Sequence, residues 1–234
     1  MAGEKLKRHK APRFWRIGRK EFKFVVNPIP GPHPKDRSYP LSVLLRDVLG
    51  LVKNYREAKV AIKEGKVLID GVVRREPRFP VGLFDLVEIA PLSKLYRIVP
   101  SKKGLDVLEV GEEERGLKLC KITRKYMVRG GRLCYGLHDG RTVLDGFEAK
   151  VGDSLLIRVP SQEVLKVIRL EEGALALVVG GSRSGTLVRV ERLKEGTYTS
   201  PRMAIVRVDD ETAEVPAEML FTVGKEKPVL RVVR

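Results

Sequence analysis

Thiols, amides and aromatic rings are scarce in this chain of 234 residues. Its two cysteines, Cys120 and Cys134, are separated by 13 residues. They form no CxxC pair, and no zinc site is expected. Their flanks, LKLCKI and GRLCYG, are apolar, so two buried free thiols in a reducing compartment are expected. One glutamine, Gln162, and two asparagines, Asn27 and Asn54, are the full amide complement. Sparing heat-labile amides while making 32% of residues charged is a heat-adapted composition. No apolar run approaches the ~20 residues that span a bilayer. The first residues, MAGEKLKRHK, lack an apolar core, so no secretory signal is expected.

Negative charge is also in short supply. Lysine and arginine number 46 against 30 acidic residues, a formal net charge of +16. Such an excess suits a polyanionic partner, of which nucleic acid is the commonest. Residues 1–40 hold 11 basic and 3 acidic residues, so half of the excess lies in the first sixth of the chain. Here Lys5, Lys7, Arg8, Lys10, Arg13, Arg16, Arg19 and Lys20 are interleaved with Phe14, Trp15, Phe22 and Phe24. Prolines 28, 30, 32 and 34 then alternate, which forbids helix. We expect an arm that orders on RNA, its cations on phosphates and Trp15 on a base or the body.

Residues 41–91 are the clearest unit. Leu41, Leu44, Leu45, Val48 and Leu49 share one helical face. Asn54 with Glu57 three residues on predicts a capped second helix that ends at Gly65. Arg56, Lys59, Lys63 and Lys66 recur every three or four residues and form one basic stripe. Asp70-Gly71 between β-branched runs predicts a hairpin, with Arg74 and Arg75 beyond the turn. The run FDLVEI adds another strand.

Residues 92–172 alternate or run apolar over strand lengths, with Gly and Asp between, and predict a β-rich domain. Glu112, Glu113 and Glu114 form a turn expected to face water, with no companion ligands for a metal. His138-Asp139 could be a catalytic dyad, but neighbours on a strand point to opposite faces and no nucleophile motif accompanies them. LHDGRT reads instead as a turn that leaves Arg141 free to touch phosphate. Residues 173–192 read as strand, glycine-rich loop, strand. Gly180 and Gly185 have P-loop spacing, but the lysine is missing and TLVRVER is strand-like, so nucleotide binding is rejected.

Two short helices followed by GKVLIDG (Gly65 to Gly71) resemble the S-four-type RNA-binding domain. The resemblance implies an RNA surface on Arg46, Arg56, Lys59, Lys63, Lys66, Arg74 and Arg75. Tyr55 stands where that family usually has serine. VVGGSRSG (Val178 to Gly185) resembles a KOW motif, with Arg183 in its loop. With KRHKAPRFWR (Lys7 to Arg16), GPHP (Gly31 to Pro34), KLCKI (Lys118 to Ile122), LHDGRT (Leu137 to Thr142), KVGDS (Lys150 to Ser154) and GKEKP (Gly224 to Pro228), the chain resembles the archaeal and eukaryotic small-subunit ribosomal protein S-four-e family. The composition points to an archaeal, heat-adapted member.

The resulting expectation is an α+β, multi-module chain. Residues 1–40 form the basic arm, 41–91 a small α/β S-four-type RNA-binding domain, 92–172 a central β-rich domain and 173–234 a KOW-like SH3-type small β-barrel. The resemblance implies a structural constituent of the small ribosomal subunit that binds its rRNA, located in the cytoplasm on the ribosome. Neighbouring ribosomal proteins are the other implied partners, with no cofactor, metal, membrane, small-molecule substrate or catalysis. The alternatives are a ribosome assembly factor, an accessory to an RNA-modifying enzyme, and a KOW-bearing transcription factor. The last would lack the arm and the two helices.

Overall fold

The computed structural model describes residues 5–144, 146–208 and 211–233. The chain divides into two compact units, residues 1–99 with 103–116, and 100–102 with 117–234. Most of the regular structure is strand. Among the described residues, no helix is long and apolar enough to cross a membrane.

The first unit opens with β1 (Lys5–Lys7), which pairs antiparallel with β2 (Phe24–Val26). β3 (Ser38–Pro40) leads into a helical turn at Leu41–Val43, here α1, that widens to a π-helical turn over Leu44–Val48. The expected first helix is therefore present but not regular: the Leu49 amide reaches back to the Leu44 carbonyl. Helix α2 spans Tyr55–Lys63. β4 (Val67–Ile69) and β5 (Val72–Val73) form the expected hairpin, its turn residues Asp70 and Gly71 at φ 52° and 74°. Both values are left-handed, as a tight two-residue hairpin demands. β6 (Pro80–Gly82) pairs with β3, not with the hairpin.

β7 (Leu86–Ile89) starts two residues later than FDLVEI suggests, because Phe84 takes φ 62° and the Asp85 carboxylate accepts the Gly82 amide at 2.9 Å. β8 (Lys94–Ser101) and β9 (Gly104–Val110) complete a five-stranded sheet in the order β5-β4-β7-β8-β9. The division expected at residue 91 thus falls within one sheet in space. Glu112 and Glu113 face water, whereas Glu114 pairs with the fully buried Arg97 guanidinium.

The N-terminal segment requires a correction. It is packed on this unit, and Trp15 belongs to its core with Tyr39, Leu41, Leu44, Ile62 and Ile98. The Trp15 indole donates to the Ser38 carbonyl at 2.9 Å. Phe14 meets the Tyr39 ring edge-on at 5.0 Å. It lies so close to Gly104 that a Cβ there would sit 2.2 Å from the Phe14 Cβ. An indole gains more by burial with its N–H satisfied than by waiting in water. Of its two expected places, a base or the body, Trp15 takes the body.

The second unit contains two five-stranded antiparallel sheets. One has the order β12-β11-β10-β13-β14, formed by β10 (Leu117–Met127), β11 (Leu133–Leu137), β12 (Thr142–Leu144), β13 (Ser154–Arg158) and β14 (Glu163–Ile168). Cys120, Ile122, Tyr135, Leu155 and Ile157 fill its core. The other has the order β18-β17-β16-β15-β19, formed by β15 (Leu175–Val178), β16 (Leu187–Lys194), β17 (Met203–Val208), β18 (Glu211–Pro216) and β19 (Leu220–Gly224). Ala176, Val188, Val190, Val206 and Leu220 lie in its core. Polar bonds join the two sheets. The Lys121 ammonium donates to the carbonyls of Ala217, Glu218 and Leu220 at 3.2, 2.8 and 2.7 Å. The Thr222 hydroxyl lies 2.7 Å from Ser154 Oγ and 3.2 Å from the Ile168 carbonyl.

Candidate nucleic-acid interface

Helix α2 displays the most coherent cationic surface of the first unit. Its start is held by the Asn54 side chain, which accepts the Glu57 amide at 3.0 Å. Glu57 reaches back to the Lys53 amide at 2.8 Å, one residue beyond the usual capping-box partner. Ala58 and Ile62 are buried, and Gly65 at φ 79° ends the helix. The opposite face therefore carries Arg56, Lys59 and Lys63, all exposed. No ion pair joins these three to a carboxylate among the described residues. Lys66 follows Gly65, exposed but paired with Glu64. Arg75 joins the group from beyond the hairpin: a Cβ on Gly65 would lie 3.9 Å from its Nε. The spacing-based stripe is thus one surface in space.

Other expected contacts are engaged within the fold. Arg46 donates to both oxygens of Asp47 and is half-buried. Arg74 lies over the Phe79 ring, 4.6 Å from its centroid. Arg8 is buried, donating to the Phe24 and Gly18 carbonyls and to Glu21. Arg19 donates to the carbonyls of Arg8, His9, Ala11 and Pro12, and so staples the N-terminal segment. Arg16 pairs with Asp106 at 2.7 Å. Trp15 is enclosed and cannot stack on a base. Lys5, Lys7, Lys10, Arg13 and Lys20 are exposed, as is Arg183 in the β15–β16 loop.

The exposed aromatics of this segment are two that the sequence reading did not select. Phe22 is 67% and Phe24 43% exposed. The Arg8 guanidinium lies 5.0 Å from the Phe22 centroid, and the Lys23 ammonium 5.5 Å from that of Phe24. Alternation of cations and rings was visible in sequence; which ring turned inward was not.

LHDGRT is a turn, with Gly140 at φ 80°, but Arg141 is not left free. Its guanidinium lies 3.2 Å from Asp139, whose carboxylate also takes the buried Lys118 ammonium at 2.9 Å. Burial alone would raise the Asp139 pKa. The Lys118 ammonium and the Arg141 guanidinium outweigh that and hold it at about 2. Cys120, His138 and Asp139 offer donor atoms within 4.8 Å of one another. Two cations already neutralise the carboxylate, and His138 Nδ1 accepts the Lys121 amide at 3.2 Å. This chemistry suits a structural knot and repels a metal ion.

Three family models match the chain in succession: the RS4NT domain over residues 3–36, the S4 domain over 40–87 and the ribosomal family S4e over 92–164. The small ribosomal subunit protein eS4 of Methanothermobacter thermautotrophicus is 39% identical, covering 98% of this chain and 96% of its own. Its counterpart in Archaeoglobus fulgidus is 42% identical, with 96% of each chain covered. The crystal structure of the 30S ribosomal protein S4e from Thermoplasma acidophilum superposes with a TM-score of 0.72 at 29% identity, over 82% of this chain and 97% of that one. With this identity sustained over nearly its whole length, the chain belongs to the small ribosomal subunit protein eS4 family.

Proposed function

We propose that the chain is a structural constituent of the small ribosomal subunit, acting in translation by binding small-subunit rRNA and neighbouring ribosomal proteins. Its place is on the ribosome in the cytoplasm. One observation carries the RNA-binding part: Arg56, Lys59 and Lys63 share the exposed face of α2, beside Arg75, without acidic partners among the described residues. Cations left unpaired by their own chain are available to phosphates, and each phosphate contact releases condensed counterions. The exposed Lys5, Lys7, Lys10, Arg13 and Lys20 extend the same chemistry along the N-terminal segment. Loop 179–186 of the last sheet, with Arg183 at its surface, supports the reading of residues 173–234 as a KOW-like SH3-type barrel. The sequence division at residue 172 belongs to the same reading.

A role as an RNA-modifying enzyme accessory finds no support in His138-Asp139, because Asp139 is held by Lys118 and Arg141. The test is co-sedimentation of the native protein with ribosomal particles across a salt series. Residence on mature small subunits, lost only at high salt, is expected. Residence on immature particles alone would make the chain an assembly factor, and absence from both would overturn the reading.

A further inference from the structure

Strand β10 is 11 residues long, but its two halves differ. Residues Leu117 to Lys121 pair with β13 and are mostly buried. Past a register shift after Ile122, the strand pairs with β11 alone among the described residues, and Thr123 to Met127 are all exposed. The hairpin closes at the Val128 amide and Arg132 carbonyl, 2.9 Å apart. Gly130 and Gly131 at φ 87° and 72° make the turn. The result is a hydrogen-bonded ribbon whose β10 side is exposed, while Cys134 and Tyr135 on β11 stay buried.

Its chemistry is one-sided. No Asp or Glu occurs from Arg115 to His138. The ribbon carries Arg124, Lys125, Arg129 and Arg132, all exposed. Arg124, Arg129 and Arg132 have no carboxylate partner among the described residues. Exposed cations elsewhere commonly do: Arg16 with Asp106, Lys94 with Glu109, Arg158 with Glu163, Lys194 with Glu214. An ordinary solvated face would show the same pairing. Lys125 turns to the core side, over the Tyr135 ring and onto the Ala149 carbonyl. Arg124 and Tyr126, two residues apart, therefore share the outer face. Tyr126 is 43% exposed and lies opposite Cys134, whose other neighbour is Leu144. Gly136 lies beside both: a Cβ there would be 3.4 Å from the Arg124 Cβ and 3.9 Å from the Tyr126 ring.

We propose that this ribbon, residues 123–133, is a second RNA-binding site, in which Arg124, Arg129 and Arg132 take backbone phosphates and Tyr126 takes one unstacked base. The assignment rests on the RNA-binding reading given above. Guanidiniums beside an exposed ring match the stacking-plus-phosphate chemistry of single-stranded and looped RNA. An acidic protein would be met by the charge but has no need of the ring.

The test uses the full chain and a small-subunit rRNA transcript, with affinity read across a salt series. Arg124→Gln/Arg129→Gln/Arg132→Gln should weaken binding about tenfold to a hundredfold and lower the log–log salt slope by about 2. Tyr126→Ala should weaken it about tenfold with the slope unchanged. If Arg124→Gln impairs folding, Arg129→Gln/Arg132→Gln at the turn gives the same reading with a smaller slope change. Wild-type affinity and slope in the ribbon variants, while Lys59→Gln/Lys63→Gln loses both, would overturn the ribbon and leave the α2 site standing. Lost association with ribosomal particles but unchanged binding to the transcript would assign the ribbon to a protein neighbour and overturn it too. A wild-type chain without salt-dependent binding would sink both sites.

Discussion

His33 and Asp85 meet in the interior of the first unit, Nε2 to Oδ1 at 3.0 Å, with side chains 4% and 2% exposed. Asp85 uses its other oxygen to hold the Gly82 amide. Gly82 is what admits the imidazole, since a Cβ there would sit 2.3 Å from the His33 ring. The GPHP segment is therefore a plug that ties the N-terminal segment to the β6–β7 turn. Removing one partner takes a hydrogen bond from a buried side chain. His33→Ala should cost about 3 kcal/mol, read as a lower urea midpoint with an unchanged m-value. An unchanged midpoint would show that the pair contributes nothing.

The knot around Asp139 predicts acid sensitivity. Its carboxyl titrates at about 2 in the fold, below the ~3.9 of an unfolded aspartate. The depressed value means that the pair's stability is fully present above about pH 4 and lost as pH falls through 2. Two pKa units correspond to about 2–3 kcal/mol. Asp139→Asn should remove this part of the acid slope. At neutral pH it should also destabilise by about 3 kcal/mol, because Lys118 stays buried without its counter-charge. Urea titrations of both proteins down the acid limb decide this; identical slopes would refute it.

Lys121 predicts a dependence of the same sign in an alkaline window. Burial pulls its ammonium down to about 8, below the ~10.4 of an exposed lysine. Between those values the unfolded chain holds a proton that the folded one releases, so this site's contribution to stability rises with pH. Lys121→Met keeps the apolar stem and takes the donor away from the Ala217, Glu218 and Leu220 carbonyls. We expect a loss of about 2 kcal/mol at neutral pH and no rise across that alkaline window. A thermal melt series of the variant against wild type reads both effects.

What was legible in sequence was local chemistry. Asn54 with Glu57, Gly65, and Asp70-Gly71 each dictate backbone geometry within a few residues, and all three stand where the pattern put them. The basic stripe of α2 followed, because helical spacing and a buried Ala58–Ile62 face leave one outward side. What was not legible depends on distant partners. Glu114 looked like its two acidic neighbours, yet Arg97 takes it. Arg141 looked free, yet Asp139, two residues before it, takes its guanidinium together with the Lys118 ammonium from another strand. The β10 ribbon reads as any strand, since TRKYMV continues LKLCKI without a Gly or Pro break. That its β10 side is exposed follows from where β13 stops pairing, which no property of residues 123–127 records.

Trp15 offers the sharpest test of the N-terminal segment, because it is the chain's one tryptophan. It is 3% exposed, and its indole N–H is satisfied by the Ser38 carbonyl. Intrinsic fluorescence excited in the tryptophan band therefore reports this site alone among indoles. In the RNA-free protein the emission should be blue-shifted and resistant to soluble quenchers, and both properties should vanish in denaturant. Adding rRNA should change the signal little, because the ring is already enclosed. Trp15→Ala should cost about 3–5 kcal/mol through the cavity it leaves. It should weaken RNA binding only through lost folding, so affinity corrected for the folded fraction stays near wild type. A red-shifted, freely quenched tryptophan that is protected only when RNA is added would reverse this assignment and restore an arm that orders on its ligand.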